Sequence, residues 1–222
     1  MKECLVIAHR GASAYVKGNT SKSIIIARKF GADGVELDIR TTLDKKLICF
    51  HDSYIYQKGS KKFISEMDIN SLKDFDNEIL EVEDALELSR DFKIIILDIK
   101  DVNISHELLN IVKKLNLTDK VLFVTGYLNI LNELKDLEIN KGFWFSNKID
   151  ISYIAKKYNL SVIKPNYKIF NEEVITLANS LNLKVFVWTV NDERLALKLR
   201  EQGVNAIITD VPDRIKHAFE TL

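Results

Sequence analysis

The chain alternates short apolar runs with segments in which apolar residues recur at helical spacing. Continuous apolar runs, from residues 4–8 to residues 206–209, predict strands buried on both faces of a parallel sheet. Apolar positions three and four residues apart, as at Ile24 and Ala27, predict amphipathic helices between them. Eight such units in 222 residues favour a closed (β/α)8 TIM barrel of the α/β class, although an open doubly wound sheet would give a similar pattern.

One strand departs from the buried parallel pattern. Residues 35–40 alternate apolar and charged side chains, so Glu36 and Asp38 project from the same face. The link to the next apolar run is far shorter than the dozen or so residues that a parallel crossover needs, which predicts an antiparallel hairpin. With its turn at residues 43–46, this β-hairpin extension places His51 roughly opposite Asp38.

The segment after the hairpin, residues 53–77, is polar and rich in lysine, with few apolar positions. It is therefore predicted to be a small insertion after strand 2, a loop with a short helix near residues 71–75. Loops in this position often cover active sites, so we expect its trimming to change substrate preference more than thermal stability. The chain as a whole, residues 1–222, is predicted to be a single domain.

Composition excludes several classes of function. The 32 basic residues balance the 32 acidic ones, and the chain has no basic block of the kind that binds nucleic acid or anionic membranes. The isolated Cys4 and Cys49 are predicted to be buried free thiols. Because no apolar run reaches the roughly 18 residues of a membrane helix and no signal core precedes the first strand, we expect a cytoplasmic protein without a transmembrane segment. The sequence leaves open whether it forms a homo-oligomer.

Polar residues gather where the predicted barrel strands end, the edge at which TIM barrels carry their chemistry. They are His9 and Arg10 after strand one, Glu36 and Asp38 on strand two with His51 returning beside them, Asp98 and Lys100 at strand three, Trp188 and Thr189 at strand seven, and Thr209 and Asp210 at strand eight. Three carboxylates from adjacent strands suit a hard divalent cation, and the basic side chains suit a phosphate.

Each of these residues also has an ordinary structural explanation. Histidines after buried strands are commonly hydrogen-bonded framework residues, and the Asp98 and Lys100 side chains could form a simple ion pair. Their convergence at one barrel edge favours function instead. By contrast, His106 and His217 fall in or near predicted helices and are expected at the surface.

With these motifs the sequence resembles the glycerophosphodiester phosphodiesterase family of TIM barrels over nearly its whole length. The resemblance rests on the order and spacing of several segments. These are residues 9–13 with Asn19 and Thr20, residues 31–38, His51 and Asp52, residues 98–100, residues 187–191 and residues 208–212.

The resemblance implies a phosphoric diester hydrolase that cleaves small glycerophosphodiesters to sn-glycerol 3-phosphate and an alcohol. Its implied site comprises His9 and His51 as the acid/base pair, Glu36, Asp38 and Asp98 as ligands of one divalent cation (Mg²⁺, Ca²⁺ or Mn²⁺), and Arg10, Lys100 and Trp188 as substrate-binding residues. The implied pair can serve either direct hydrolysis or a cyclic phosphate intermediate.

The chain differs from the family pattern at two positions. Gly18 stands where the family usually has Glu, and Asp98 stands where it usually has a third Glu. Spider phospholipases D, which are related, have Asp and Lys arranged like Asp98 and Lys100. A phospholipase D-like lysophospholipid phosphodiesterase and a non-catalytic phosphometabolite-binding barrel are therefore the alternative functions.

Overall fold

The computed structural model describes residues 3–57 and 59–221, so Lys58 of the predicted insertion lies outside the described residues. The strands are β1 (Leu5–His9), β2 (Gly34–Thr41), β3 (Leu47–Cys49), β4 (Tyr54–Gln57), β5 (Ser60–Phe63), β6 (Leu80–Glu81), β7 (Ile94–Ile99), β8 (Val121–Thr125), β9 (Asn140–Phe145), β10 (Val162–Pro165), β11 (Lys184–Val187) and β12 (Ala206–Thr209). The helices are α1 (Ser21–Lys29), α2 (Ile69–Phe75), α3 (Val82–Leu88), α4 (Ser105–Lys114), α5 (Leu128–Leu134), α6 (Ile151–Tyr158), α7 (Glu172–Ser180), α8 (Glu193–Glu201) and α9 (Pro212–Glu220).

Eight parallel strands close into a barrel in the order β1, β2, β7, β8, β9, β10, β11 and β12. Closure comes from β1, which pairs in parallel with β2 on one side and with β12 on the other. The predicted (β/α)8 barrel is therefore confirmed. Helices between successive strands supply the crossovers that parallel pairing requires.

Side chains of the barrel strands alternate between two cores. On β2, Val35, Leu37 and Ile39 are fully buried in the cluster shared with the surrounding helices. Complete burial of one such side chain contributes roughly 1.5–3 kcal/mol, which fixes the face that each strand presents. Glu36 and Asp38 consequently project from the other face of β2, into the barrel. An apolar cluster that includes Ile7, Ile96, Leu122, Val124, Val162, Phe186, Ala206 and Ile208 fills the barrel interior.

The loop that follows β1 is held against α1 by a compact set of contacts. Thr20 caps α1 and exchanges hydrogen bonds with Ser23, which forms a capping box. Gly11 has a φ of +80°, and a Cβ there would lie 2.5 Å from Ser23 Oγ. Only glycine fits this close contact with Ser23. The loop that follows His9 and contains Arg10 is therefore held in one backbone conformation.

The hairpin is antiparallel as predicted, but its register differs by one residue. Ile39 pairs with Cys49, and the Phe50 amide donates to the Asp38 carbonyl at 2.9 Å, so Phe50 rather than His51 lies opposite Asp38. The predicted position of His51 was therefore wrong by one residue. The cause is the loop, in which the Thr42 hydroxyl accepts from the Lys46 amide at 2.9 Å and closes a turn one residue longer than expected.

The insertion is better ordered than its composition indicated. It contains the antiparallel ribbon β4–β5, a short 3₁₀ turn at Ile64–Glu66 and helix α2. Leu72 and Ile64 are almost completely buried within it. The expectation of few apolar anchors was wrong, because the insertion shares a hydrophobic cluster with the hairpin that comprises Ile48, Ile55, Ile64, Met67, Ile69, Leu72 and Ile79.

Both cysteines and the two histidines outside the barrel edge lie where the sequence predicts. Cys4 and Cys49 are buried free thiols, and burial raises the pKa of Cys4 to about 12. His106 and His217 are exposed on helices, as expected. Among the helices in residues 3–57 and 59–221, none is both long and apolar enough to span a bilayer.

Candidate active site

A cavity of about 80 Å³ opens at the C-terminal end of the barrel. All eight site residues selected from the sequence line it, and two further residues, Trp144 and Lys164, complete the wall. The lining residues are His9, Arg10, Glu36, Asp38, His51, Asp98, Lys100, Trp144, Lys164 and Trp188. The structure thus brings together the whole predicted set, while the role of each residue stays a proposal.

Three carboxylates form the floor of the site. Asp38 and Asp98 are register partners on the neighbouring strands β2 and β7, and Glu36 is two residues before Asp38 on the same face. All three side chains are almost fully buried, and one oxygen from each lies within 4.8 Å of the others. This spacing and the oxygen-only donor set fit a hard divalent cation.

Basic side chains surround these carboxylates. Lys100 Nζ lies 2.7 Å from Asp98 Oδ2 and 3.0 Å from Asp38 Oδ1. Lys164 Nζ lies 3.3 Å from Glu36 Oε1. Arg10 Nε lies 3.0 Å from Asp38 Oδ2, but it makes no hydrogen bond with any described residue. The site therefore combines buried acids with basic groups that can also contact an anion.

The balance between burial and ion pairing differs among the three acids. Burial would raise the pKa of Asp38, but Lys100 and Arg10 outweigh it and hold the pKa well below its usual range. Burial also opposes ionisation of Glu36, and Lys164 reverses that effect, so its pKa is lowered. For Asp98 burial prevails over the neighbouring lysines, and its pKa is raised.

His9 is held by a network around Asp210. His9 Nδ1 lies 2.7 Å from Asp210 Oδ1, while Ser13 Oγ and Asn191 Nδ2 donate to the same carboxylate at 2.8 and 2.6 Å. Burial raises the pKa of Asp210, but these hydrogen bonds outweigh it and lower the pKa to about 2. Because the ionised carboxylate can only accept, it favours the tautomer with a proton on Nδ1 and leaves Nε2 of His9 available.

His51 lies at the mouth of the cavity and, like His9, has its Nδ1 next to an aspartate carboxylate. Its Nδ1 lies 2.7 Å from Asp52 Oδ1, and its side chain is 44% exposed. Arg40 Nε donates to the His51 carbonyl at 2.8 Å, and the Arg40 guanidinium also pairs with Asp101. The main chain at His51 is thereby tied to β2, although the imidazole itself faces solvent.

Two tryptophans form an aromatic wall on the side of β9–β11. Trp144 and Trp188 meet edge to face with ring centroids 5.6 Å apart. Trp144 Nε1 donates to Asp98 Oδ1 at 3.1 Å, and Trp188 Nε1 donates to the Lys164 carbonyl at 2.8 Å. Both indoles therefore satisfy their N–H groups while they shape the cavity.

The glycine that departs from the family pattern packs against the active-site arginine. A Cβ at Gly18 would lie 2.8 Å from the Cβ of Arg10 and 3.3 Å from that of Ser13. The orientation of Arg10 therefore depends on close backbone packing and on Asp38, rather than on a carboxylate at position 18.

Comparison with known proteins agrees with this arrangement. The model of the Glycerophosphoryl diester phosphodiesterase family matches residues 9–214. The chain belongs to this family. The predictions of the family and of a phosphodiesterase enzyme are confirmed. A glycerophosphodiester phosphodiesterase of Caldanaerobacter subterraneus subsp. tengcongensis is 25% identical, with 95% of this chain and 96% of that protein covered.

Solved structures of this fold superpose closely on the glycerophosphodiester phosphodiesterase barrel described above. A glycerophosphodiester phosphodiesterase from Thermotoga maritima gives a TM-score of 0.87 at 27% identity and covers 98% of this chain and 99% of its own. A phosphodiesterase from Oleispira antarctica, solved in complex with the product sn-glycerol-3-phosphate, also gives 0.87, at 24% identity, with 97% and 96% covered.

Sequence reasoning missed Trp144 and Lys164 among the lining residues. Both lie in strands whose apolar pattern was recognised, and they are register partners on β9 and β10. A lysine inside an otherwise buried strand is the one signal that could have identified Lys164, since lysine is almost never fully buried without a partner.

Proposed function

We propose that the protein is a metal-dependent enzyme of the cytoplasm that hydrolyses glycerophosphodiesters to sn-glycerol 3-phosphate and an alcohol. The observation that carries this proposal is the convergence of two histidines, three buried carboxylates and three basic side chains on one cavity. Family membership and the product bound to the Oleispira relative support the same substrate class.

The donor set fits one divalent cation such as Mg²⁺, Ca²⁺ or Mn²⁺. Glu36, Asp38 and Asp98 would hold it, because their oxygens are close together and neither cysteine nor histidine belongs to the cluster. When bound, the cation would neutralise phosphate oxygens and so stabilise the charge that develops during cleavage.

His9 and His51 would transfer the protons. Each has its Nδ1 beside a carboxylate, which leaves Nε2 as the atom that can exchange a proton. We assign one imidazole to remove the proton from the attacking oxygen and the other to protonate the leaving oxygen. The same pair serves whether water or the neighbouring glycerol hydroxyl attacks.

Arg10 and Lys100 would bind the phosphate. The Nε of Arg10 has no hydrogen-bond acceptor among the described residues, and both side chains line the cavity. Their charges would stabilise the equatorial oxygens in the transition state. Trp188 would form the apolar wall beside the glycerol or its substituent.

A lysophospholipid phosphodiesterase activity is the second candidate. The observation that favours it is the aromatic wall, which continues outward from Trp188 and Trp144 to Tyr127, whose ring lies 5.9 Å from that of Trp144 and is 45% exposed. Such a surface could accommodate the apolar part of a lysophospholipid.

A substrate and metal panel tests both proposals. Glycerophosphocholine and lysophosphatidylcholine would each be assayed with Mg²⁺, Ca²⁺, Mn²⁺ or EDTA, with Asp38→Asn as the impaired variant and the exposed Asp91→Asn as its matched control. We expect turnover of glycerophosphocholine that EDTA abolishes and that Asp38→Asn strongly reduces. Turnover of lysophosphatidylcholine alone would favour the second candidate, and full activity in EDTA would contradict the metal-dependent mechanism.

A further inference from the structure

The feature that carries a further inference is the buried side chain of Lys164 on β10. The residue is 3% exposed, and the only hydrogen bond of its side chain with the described residues is a 3.3 Å contact with Glu36 Oε1. An ammonium group has three donors. Lys164 therefore keeps donor capacity at a position that lines the active-site cavity.

A second buried lysine shows what a purely structural role looks like in this chain. Lys141, on the neighbouring strand β9, donates to three main-chain carbonyls at 2.8, 2.8 and 2.9 Å. All of its donors are accounted for by the fold. Lys164 differs because its partners are carboxylates of the active site and because the residue lines the cavity that the substrate would enter.

Lys164 also lies close to a residue already assigned to phosphate binding. Its Nζ is 3.9 Å from Asp98 Oδ2, the same oxygen that Lys100 Nζ contacts at 2.7 Å. Lys100 directly follows β7 and Lys164 lies on β10, so the two ammonium groups come from strands that are not neighbours in the barrel. Because both approach one oxygen atom, a single phosphate group could contact both of them.

The charges of the site indicate which phosphate would benefit most. In their ionised forms, the carboxylates of Glu36, Asp38 and Asp98 are balanced by the charges of Arg10, Lys100 and Lys164 among the residues that line the cavity. A phosphodiester carries one negative charge, whereas a phosphomonoester carries close to two at neutral pH. The electrostatic attraction of the Lys164 ammonium is therefore stronger for the product than for the substrate.

We propose that Lys164 is a phosphate-binding residue of this site that favours the phosphomonoester product over the phosphodiester substrate. This inference rests on the proposed function. Lys164 should also weaken binding of the cation, because its ammonium group contacts Glu36, one of the carboxylates that would hold the cation. Removal of this charge should weaken binding of the anionic product and strengthen binding of the cation.

The experiment compares wild type with Lys164→Met, which keeps an unbranched side chain without the charge. In saturating Mg²⁺, the dissociation constant of sn-glycerol 3-phosphate, measured by calorimetry, should rise about tenfold or more, as for loss of a charge-assisted hydrogen bond. The KM for glycerophosphocholine should rise by a smaller factor. In the same variant, Mn²⁺ titrated without substrate should bind more tightly than to wild type.

The matched control is Lys168→Met, which removes an exposed lysine just beyond the same strand. It should leave all three quantities unchanged, so that a general change in surface charge is distinguished from the local contact. If Lys164→Met does not fold, Lys164→Gln should show the same signs, and Lys164→Arg should restore most of the product affinity.

Two results would overturn the inference. One is an unchanged affinity of the variant for sn-glycerol 3-phosphate, and the other is an equal loss of affinity for substrate, product and cation, which would indicate a structural role. Failure of the proposed function would look different, since wild type itself would then neither bind sn-glycerol 3-phosphate nor hydrolyse glycerophosphocholine.

Discussion

Asn19 forms two hydrogen bonds with Asp38, one with its side chain and one with its main chain. Its Nδ2 donates to Asp38 Oδ2 at 3.0 Å, and its Oδ1 accepts from the Asp38 amide at 3.1 Å. Asn19 is itself buried and has a φ of +61°. One residue of the opening loop thus fixes the orientation of a carboxylate on β2.

Replacement of Asn19 should therefore weaken cation binding. In Asn19→Gly the positive φ remains accessible, so both hydrogen bonds are lost without new backbone strain. Mutation of residues that orient metal ligands typically lowers the affinity for the metal by about 10- to 100-fold. We expect a loss in this range for Asn19→Gly on calorimetric titration with Mn²⁺. Asn159→Gly, at an exposed left-handed position after α6, is the matched control. Equal cation affinities in both variants would contradict the assignment.

The two cavity histidines should be separable from the two surface histidines by kinetics. His9→Ala and His51→Ala should each reduce kcat by about 10²- to 10⁴-fold, because each variant would lack one of the two proposed proton-transfer groups. His106→Ala and His217→Ala should be nearly silent. Comparable losses in all four variants would show that the cavity has been assigned wrongly, and circular dichroism would check that each variant is folded.

Asp210 should make a contribution to stability that disappears in acid. Its pKa is about 2 in the folded protein, against about 3.9 for an unfolded aspartate. The unfolded chain therefore binds more protons between these values, so the contribution is present above about pH 4 and is lost as the pH falls toward 2.

Urea unfolding of wild type and Asp210→Asn from pH 2 to pH 6 measures this effect. The stability difference should be constant near pH 6 and should shrink below pH 4, whereas exposed Asp91→Asn should show no such trend. A difference that stays constant down to pH 2 would refute the prediction. The same Asp210→Asn variant should have a lower kcat, because the amide no longer enforces the His9 tautomer.

The insertion should respond to changes in its core as a packed unit does. Leu72 is fully buried, and Leu72→Ala should lower the free energy of unfolding by about 2–5 kcal/mol through lost burial and a residual cavity. Leu43→Ala, at a residue that is 58% exposed, should change it by less than about 0.5 kcal/mol. Similar urea midpoints for the two variants would show that the cluster contributes little to the fold. That substrate preference resides in this segment stays a prediction.

The sequence revealed the barrel and most of the cavity for a physical reason. Buried parallel strands are continuous apolar runs, and their C-terminal ends meet at one edge, so residues such as His9 and Asp98 could be assigned to a common site from the sequence alone. The insertion was misjudged because Ile55, Ile64 and Leu72 follow neither a period of two nor one of 3.6. Their burial depends on the hairpin beneath them.

Two other features depend on contacts that no local pattern records. The one-residue shift at Asp38 is set by a hydroxyl in the hairpin loop, and the burial of Lys164 is set by carboxylates on the opposite side of the barrel. The contact between Lys17 and Asp76, which joins the opening loop to the insertion, likewise spans 59 positions. Such pairings become visible only when the strands are placed in three dimensions.

Because β1 pairs with β12, the contact between His9 and Asp210 joins the first and last strands of the barrel, and the two residues are separated by 201 positions. During translation, every cavity-lining residue leaves the ribosome before the last strand does. A nascent chain that lacks residues 206–209 cannot close the barrel, and its first histidine has no aspartate partner. A premature stop codon shortly before this strand would thus remove barrel closure and histidine orientation together, while all the lining residues would still be synthesised.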